Sequence, residues 1–272
     1  MDAVADKLEA LRGALSGMAR IAVAVSGGVD SMTLAVFVHR HFPHGAEMFH
    51  AVSPAVPQEA TARVQALAER EGWALRVIDA GEFGNANYRA NPLDRCFYCK
   101  TSLYAAIAPR TRAQIVSGTN TDDLGEYRPG LEAAKLHRVR HPFVEAGIDK
   151  RTVRAIARHL GLRDLAELPA SPCLSSRIET GIAIDPDVLA LVHRTEKLVG
   201  EALRPQTVRC RVRAGGVVIE LDEARLAALD AAQRGELRDR IGALFRAAGF
   251  DHEISFAPYR VGSAFLHRLR PV

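Results

Sequence analysis

The sequence predicts an α/β protein with a parallel, Rossmann-like sheet domain over residues 1–180 and a smaller α+β domain over residues 181–272. In the first domain, short apolar segments alternate with helical patterns, which is typical of a parallel sheet with helical crossovers. A segment rich in Pro, Ser and Gly, residues 169–181, ends this pattern. Beyond it the order changes to helix, two strands, helix and strand, which indicates a second core of the α+β kind.

The individual elements follow from the spacing of the apolar residues. An amphipathic helix is predicted for residues 1–20. Strands are predicted at 21–25, 47–52, 74–79 and 114–117, and helices at 31–41, 58–72, 101–108 and 150–161. In the second domain, helices are predicted at 185–203 and 223–249, and strands at 252–257 and on both sides of Gly215 and Gly216 within 207–221.

Composition narrows the class of protein. The 272 residues are 48% hydrophobic and 25% charged without a low-complexity tract, which is the profile of a folded soluble chain. Lys and Arg number 36 against 32 Asp and Glu, and this small excess permits an anionic substrate without requiring nucleic acid. The N-terminal helix carries charges throughout and lacks the apolar core of a signal peptide. We expect a cytoplasmic protein that contacts no membrane, and we expect it to form a homo-oligomer.

The stretch SGGVDS, residues 26–31, ends the first strand and begins the next helix. The carboxyl ends of parallel strands form the crevice where α/β proteins bind ligands. Glycines there let the backbone approach a phosphate, and the amides of a helix N-terminus favour an anion. We therefore expect phosphate oxygens to be held by Ser26, Gly27, Gly28 and Ser31. The stretch has neither the Lys of a classical P-loop nor the spacing of a dinucleotide fingerprint, and an ordinary strand-to-helix turn is the alternative.

A second polar stretch, SGTNTDDLGEYRPG at 117–130, follows the predicted strand 114–117. Its adjacent carboxylates, Asp122 and Asp123, could bring Mg²⁺ to a polyphosphate, because that cation prefers oxygen ligands. Arg128 could meet an anion. The alternatives are helix capping by the TNTDD run and an ordinary surface arginine.

Three of the four cysteines are candidates for metal binding or catalysis. Cys96 and Cys99 form a C-x-x-C motif that presents two sulfurs to one metal or cluster, and Cys173 in SPCLSSR could fold back to join them. Cys173 also has the setting of a nucleophilic thiolate, because Arg177 is near. Inert thiols are one alternative. Structural zinc is another, and it would need a further ligand such as His137 or His141.

The stretch TVRCRVR places three arginines, Arg209, Arg211 and Arg213, on one face of a strand. Cys210 lies on the opposite, apolar face and is predicted to be a core residue. Aligned guanidinium groups favour a phosphate ligand, and a solvated strand face is the alternative.

These stretches together resemble the LarE family, from about residue 21 to about residue 262. The segments that carry the resemblance are SGGVDS, RCFYCK, SGTNTDDLGEYRPG and SPCLSSR, with the helix-hairpin-helix order of the C-terminal part. SGGVDS is similar to the PP-loop of ATP pyrophosphatases, which cleave ATP between the α- and β-phosphates. The resemblance implies a PP-loop domain over residues 1–180. It further implies an ATP-dependent sulfur transferase of nickel-pincer nucleotide biosynthesis, which adenylates a carboxylate of pyridinium-3,5-biscarboxylic acid mononucleotide and converts it to a thiocarboxylate.

The resemblance also implies roles for individual residues of the nucleotide-binding part. Asp30 would hold Mg²⁺ against the pyrophosphate of ATP. Gly118, Asp123 and Arg128 would belong to the same binding site. Arg209 and Arg211 match positions that lie near a phosphate of the substrate.

For the sulfur chemistry, the resemblance implies that Glu196 lies near the catalytic groups and that Cys173 is the reacting cysteine. In the sacrificial form of the family, one cysteine attacks the acyl-adenylate, gives up its sulfur and becomes dehydroalanine. This chain also carries Cys96 and Cys99, as do members in which three cysteines hold a 4Fe-4S cluster. We therefore expect a cluster on Cys96, Cys99 and Cys173, with sacrifice of Cys173 as the alternative.

Two other functions stay open at this point. PP-loop enzymes with a C-x-x-C motif and a third cysteine also thiolate tRNA, and an arginine stripe could follow an RNA backbone. Acidic residues dilute the positive charge of the C-terminal part, which shows no aromatic stacking platform, so nucleic acid is not the expected partner. The third possibility is a nucleotide-binding module in which the cysteines hold structural zinc.

Overall fold

The computed structural model describes residues 3–125 and 128–265, which form two compact units. Unit 1 comprises the described residues of 1–85 and 94–171, and unit 2 comprises those of 86–93 and 172–272. Residues 126 and 127 of the predicted polar stretch lie outside the described residues. The division falls between Ser171 and Pro172, whereas the sequence analysis places it after residue 180, and residues 86–93 join unit 2.

The strands are β1 (Ile21–Ala24), β2 (Ala46–Val52), β3 (Leu75–Asp79), β4 (Gln114–Ser117), β5 (Val208–Arg213), β6 (Gly216–Leu221) and β7 (Ile254–Pro258). The helices are α1 (Ala3–Ser16), α2 (Val29–His41), α3 (Gln58–Glu71), α4 (Ala86–Arg89), α5 (Arg95–Ile107), α6 (Pro129–Leu136), α7 (Pro142–Glu145), α8 (Lys150–His159), α9 (Arg163–Ala166), α10 (Pro186–Leu203), α11 (Glu223–Ala227) and α12 (Ala231–Ala247). Short 3₁₀ turns include Thr121–Gly125 and Leu174–Arg177.

Unit 1 contains a parallel sheet with the strand order β3-β2-β1-β4, so the predicted α/β class is confirmed. The chain moves from β1 to β2 on one side and later returns to β4 on the other side of β1. Such a reversal of strand order opens a crevice at the carboxyl ends of the two strands that flank it. Ala24 at the end of β1 pairs with Ser117 at the end of β4, so both polar stretches leave the sheet at the same level.

The parallel sheet is covered on both faces, which is why all four residues of β1 are buried and apolar. Ile21 and Val23 belong to a core cluster that also includes residues of α1, α2 and α8. Ala22 and Ala24 belong to a second cluster with Phe49 and residues of α5. Within the described residues, no helix combines the length and apolar character that a membrane span requires.

Unit 2 contains a three-stranded sheet in which β5 and β6 form the predicted hairpin and β7 pairs parallel to β6. The prediction of one helix over 223–249 is wrong, because α11 ends at Ala227 and α12 begins at Ala231. Asp230 forms a capping box with Gln233, and this local signal sets the start of α12. Cys210 is buried, as predicted for a core residue.

The helix predicted at 101–108 begins earlier, at Arg95. The prediction of its start was wrong because the Cys, Phe and Tyr residues of RCFYCK have only middling helix propensities, which packing can override. α5 packs against α6, and Arg95 and Tyr104 are buried. The C-x-x-C motif is therefore helical.

Candidate functional site

The turn between β1 and α2 is closed by the two serines of SGGVDS. Ser31 is buried, its Oγ accepts a hydrogen bond from the Ser26 N–H at 3.0 Å, and the two hydroxyl oxygens lie 3.0 Å apart. Gly27 has a φ of +86°, and a Cβ there would lie 2.8 Å from the Ala60 carbonyl oxygen. This position therefore requires glycine for two reasons, its backbone conformation and the close approach of α3.

The N-terminus of α2 is suited to an anion. Gly28 is the N-cap residue and supplies no side-chain hydrogen bond to the first-turn amides of this 13-residue helix. Amides of the first turn have no partner within their own helix, and the helix dipole favours negative charge there. Arg63 of α3 donates from Nη1 to the Gly27 carbonyl at 3.2 Å. The turn therefore combines the first-turn amides of α2 with a guanidinium group bound to the Gly27 carbonyl.

Three elements of unit 1 converge on the carboxylate of Asp30, in the first turn of α2. Lys150, the first residue of α8, places its Nζ 2.5 Å from Asp30 Oδ2. Asn120, three residues after β4, donates from Nδ2 to Asp30 Oδ1 at 3.2 Å. Asp30 and Lys150 are partly exposed, with 25% and 35% of their side chains accessible to solvent. The cluster therefore combines a carboxylate, an amide and an ammonium group that a charged ligand could reach.

The polar stretch after β4 is held together by short-range hydrogen bonds. Asp123 accepts from the Asn120 N–H at 3.1 Å, and Asp122 donates from its N–H to the Asn120 side-chain oxygen at 3.1 Å. The Arg128 guanidinium lies 2.9 Å from Asp123. Both acids therefore take part in the local turn, which the helix-capping alternative anticipates in part. Asp122 is exposed, and Asp123 and Gly118 are half-buried.

His141 is a neighbour of this stretch that the sequence analysis considers only as a zinc ligand. Its Nδ1 lies 2.9 Å from the Ser117 hydroxyl. Burial lowers the pKa of His141 from its usual value, and the nearby Lys100 lowers it further against the opposing effect of Glu145. A neutral imidazole is consistent with one hydrogen bond to a hydroxyl. This contact stabilises the end of β4.

Cys96 and Cys99 lie one turn apart on α5, so their side chains project from the same side of that helix. Both are half-buried. Cys173 belongs to unit 2. Within neither unit does the described part of the chain gather three His, Cys, Asp or Glu side chains within reach of one metal ion.

Cys173 is exposed and stands immediately before the 3₁₀ turn Leu174–Arg177, all of whose residues are buried. The side chain of Arg177 folds back and donates from Nη1 to the carbonyl oxygens of Pro172 at 2.7 Å and Cys173 at 3.2 Å. Its other donors, Nε and Nη2, form a two-pronged ion pair with Glu196 of α10 at 2.9 and 3.0 Å. Glu196 therefore contacts the cysteine loop through Arg177.

The three arginines of β5 have different surroundings. Arg211 is buried and bonds to Glu220, and Arg213 bonds to the other oxygen of the same carboxylate. The Arg209 guanidinium lies over the ring of Tyr259, 5.7 Å from its centre. Burial, followed by the positive charge of Arg177, lowers the pKa of Arg209 from its usual value. For Arg211 to bind a phosphate, it would have to exchange one of its present hydrogen bonds.

Comparison with known proteins identifies relatives over most of the chain. It is 39% identical over 194 residues to an uncharacterized protein of Synechocystis, covering 70% of this chain and 72% of the relative. It is 30% identical over 231 residues, 83% of each chain, to the pyridinium-3,5-bisthiocarboxylic acid mononucleotide synthase of Lactiplantibacillus plantarum. The chain belongs to the LarE family. An uncharacterized protein of Methanocaldococcus jannaschii is 24% identical over 213 residues, 75% of this chain and 78% of the relative. No protein-family model matches the sequence.

Membership of the LarE family confirms the resemblance read from the motifs and makes this chain a member of an enzyme family. The structure also shows residues that the sequence analysis missed, above all Lys150 and Asn120. Asn120 lies inside a stretch already singled out, so its position after β4 was a usable signal. Lys150 carried no signal, because it begins an ordinary amphipathic helix.

Proposed function

We propose that this LarE-family chain uses ATP to adenylate a carboxylate of pyridinium-3,5-biscarboxylic acid mononucleotide and then replaces AMP with sulfur, forming a thiocarboxylate. The observation that carries the proposal is the cluster of Asp30, Lys150 and Asn120 at the N-terminus of α2. It stands directly after the glycine turn, at the point where the strand order reverses. The name of the L. plantarum relative supplies the chemical class of the product.

In this proposal, the phosphates of ATP bind to the amides of the glycine turn and of the first turn of α2. The dipole of α2 and the ammonium group of Lys150 both favour negative charge at this place. They stabilise the charge that develops on pyrophosphate as the bond between the α- and β-phosphates breaks. The substrate carboxylate forms the new bond to the α-phosphorus, so the products of this step are an acyl-adenylate and pyrophosphate.

We propose that Mg²⁺ would be held by Asp30 of this cluster and by Asp123 of the polar stretch after β4. Asp30 and Asp123 provide carboxylate oxygens, which are the ligands that this cation prefers. When bound, Mg²⁺ neutralises part of the charge on the polyphosphate. Lys150 now neutralises Asp30. When this ion pair is exchanged, the ammonium group of Lys150 would contact the phosphates.

The sulfur step uses Cys173, whose exposed position in unit 2 leaves its thiol accessible. A sulfur nucleophile attacks the acyl carbon, and AMP leaves with the electron pair of the bond to the carboxylate oxygen. In the sacrificial route, Cys173 is that nucleophile. Its Cβ–Sγ bond then breaks with loss of the Cα proton, which leaves the thiocarboxylate on the product and dehydroalanine in the chain.

We further propose that Cys96, Cys99 and Cys173 hold a 4Fe-4S cluster, in which case Cys173 is a ligand and is not consumed. The support is the helical spacing of Cys96 and Cys99 and the number of cysteines, because three thiolates leave one iron of a cluster open. Anaerobic reconstitution should give about four irons per chain, and much less after Cys96→Ala, Cys99→Ala or Cys173→Ala. Cys210→Ala is the matched control, because Cys210 is buried in the core and burial raises the pKa of its thiol. Full iron binding by a variant that carries all three substitutions, Cys96→Ala, Cys99→Ala and Cys173→Ala, would contradict the cluster assignment.

The function itself is tested by measuring pyrophosphate and thiocarboxylate formation anaerobically with ATP, Mg²⁺ and the pyridinium biscarboxylate nucleotide. We expect pyrophosphate release to depend on that nucleotide. Release that instead requires bulk tRNA, with the steep salt dependence of polyanion binding, would favour tRNA thiolation. Cytoplasmic location and a homo-oligomeric state stay predictions.

A further inference from the structure

The loop that carries Cys173 is held from several sides although the cysteine itself is exposed. Its neighbours in the 3₁₀ turn are buried, and the Ser176 N–H donates to the Cys173 carbonyl oxygen at 3.0 Å. The Ser175 hydroxyl lies 2.7 Å from the Tyr88 hydroxyl, within unit 2. An exposed residue on a backbone fixed at so many points has little freedom to move.

Two buried arginines provide most of these contacts. Arg177 binds the carbonyl oxygens of Pro172 and Cys173 and also the Ser176 hydroxyl, the last at 3.1 Å. Arg211 donates from Nη1 to the Ser176 carbonyl oxygen at 3.0 Å. The loop thus presents its backbone oxygens to two guanidinium groups, one from its own turn and one from β5.

Each of the two arginines has its own buried carboxylate. Arg177 and Glu196 expose only 4% and 12% of their side chains, and Arg211 and Glu220 only 5% and 2%. A buried guanidinium is stable only with a partner charge, and loss of that partner is strongly destabilising. Glu196 and Glu220 therefore neutralise the charge of the two arginines and fix their orientation.

Among the described residues, the Glu196 carboxylate accepts three hydrogen bonds, and all three come from groups of the protein scaffold. Oε1 accepts from Arg177 Nε and from the Cys210 N–H, each at 2.9 Å, and Oε2 accepts from Arg177 Nη2 at 3.0 Å. We propose that Glu196 is a positioning residue, which acts through Arg177 to hold the backbone of Cys173 in place for sulfur transfer and does not exchange a proton with substrate. The role of this positioning in sulfur transfer rests on the proposed function, whereas the hold of Glu196 and Arg177 on the Cys173 backbone does not.

Hydrogen exchange and turnover of three single variants, and of the double variant that combines the first two, test the proposal. Glu196→Gln keeps the shape of the side chain and removes its charge, and Arg177→Lys keeps the charge and removes the two-pronged geometry. Glu236→Gln is the matched control, because Glu236 forms an exposed pair with Arg240 on α12 of the same unit. The measurements on the protein without substrate are hydrogen exchange of the Ser176 amide and the alkylation rate of Cys173, both followed by peptide mass spectrometry.

We expect exchange at the Ser176 amide to rise about tenfold or more in Glu196→Gln and in Arg177→Lys, and to stay at the parent value in Glu236→Gln. Thiocarboxylate formation should fall by about tenfold or more in both variants, whereas substrate-dependent pyrophosphate release should stay within about twofold. Because the two residues act as one unit, the double variant should lose no more transfer than either single variant.

The opposite pattern would overturn the proposal. If Glu196 moves a proton, Glu196→Gln abolishes transfer with unchanged exchange at Ser176, Arg177→Lys stays active, and the two effects add. Failure of the parent protein to form thiocarboxylate would instead contradict the proposed function. The exchange data would still decide whether Glu196 and Arg177 hold the loop.

Discussion

Gly118 is the position where the end of β4 touches the start of α2, and replacing it with alanine tests how closely they pack. A Cβ at Gly118 would lie 2.6 Å from the Ser31 amide nitrogen and 2.8 Å from the Asp30 carbonyl carbon. Real Cβ atoms essentially never come within 3.0 Å of such atoms. Both neighbours are backbone atoms, so the added methyl group cannot be accommodated by a rotating side chain. Either the strand end or the helix start has to move.

The size of the effect follows from this overlap. Overpacking that forces backbone to shift costs about 1–3 kcal/mol of folding free energy. For a chain of this size each kcal/mol lowers Tm by about 2–4 °C, so Gly118→Ala should melt roughly 2–12 °C below the parent. The shifted atoms belong to Asp30 and Ser31, and a misplacement of ~1 Å in a catalytic group can cost ~100-fold in rate. Pyrophosphate release should therefore fall by about one to two orders of magnitude.

The assay is a thermal melt together with substrate-dependent pyrophosphate release. Gly125→Ala is the matched control, because Gly125 lies in the same polar stretch and a Cβ there would meet no atom of the described residues within 4 Å. We expect the control to match the parent in both measurements. A Gly118→Ala variant that melts with the parent and releases pyrophosphate at the parent rate would refute the close packing of β4 against α2.

Three further predictions concern single side chains. Asp30→Ala should abolish pyrophosphate release and leave the far-ultraviolet circular dichroism unchanged, because the partly exposed carboxylate binds Lys150 and is not a core residue; normal release would contradict the role of Asp30. Arg209→Ala should weaken binding of the nucleotide by about 1.5–3 kcal/mol but not that of its dephosphorylated analogue, as a comparison of the two KM values would show. Asp149 caps α8 by accepting the Thr152 N–H at 2.7 Å, and hydrogen bonds from the side chain and then from the backbone N–H of Thr152 lower the pKa of Asp149. Asp149→Ala should cost about 0.5–2 kcal/mol at pH 7 in urea unfolding. This stabilisation exists above the unfolded pKa near ~3.9 and disappears as pH falls through the folded pKa, so the unfolding free energies of the parent and the variant should converge in acid. A difference in unfolding free energy that persists in acid would contradict the role of Asp149 as a charged cap.

Much of unit 1 is predictable because its signals are local. Four apolar segments mark the strands, and SGGVDS and SGTNTDDLGEYRPG mark the ends of β1 and β4. The rule that parallel strands align their carboxyl ends then places both stretches at one edge of the sheet. The same kind of reasoning fails at RCFYCK, where packing against α6 extends the helix beyond what residue propensities indicate.

The contacts that local patterns do not show are those between distant parts of the chain. Lys150 contacts Asp30 although the two residues are 120 positions apart in the sequence, and no motif around either residue predicts this contact. The arginine stripe illustrates the same limit. Alternation correctly places Arg209, Arg211 and Arg213 on one strand face, but the register of β5 against β6 brings Glu220 to that face, where it binds two of the three. Arg177 and Glu196 likewise meet only because α10 packs against the 3₁₀ turn.

One isotope tests whether the chain activates a carboxylate as an acyl-adenylate before the sulfur nucleophile attacks. The pyridinium biscarboxylate nucleotide is labelled with ¹⁸O in its carboxylates and incubated anaerobically with ATP and Mg²⁺, and the AMP is analysed by mass spectrometry. Adenylation places a carboxylate oxygen on the α-phosphorus, and the attack of sulfur at the acyl carbon leaves that oxygen in AMP. We expect one ¹⁸O in each AMP released with product. Product formed with unlabelled AMP, or with ADP and phosphate in its place, would contradict it.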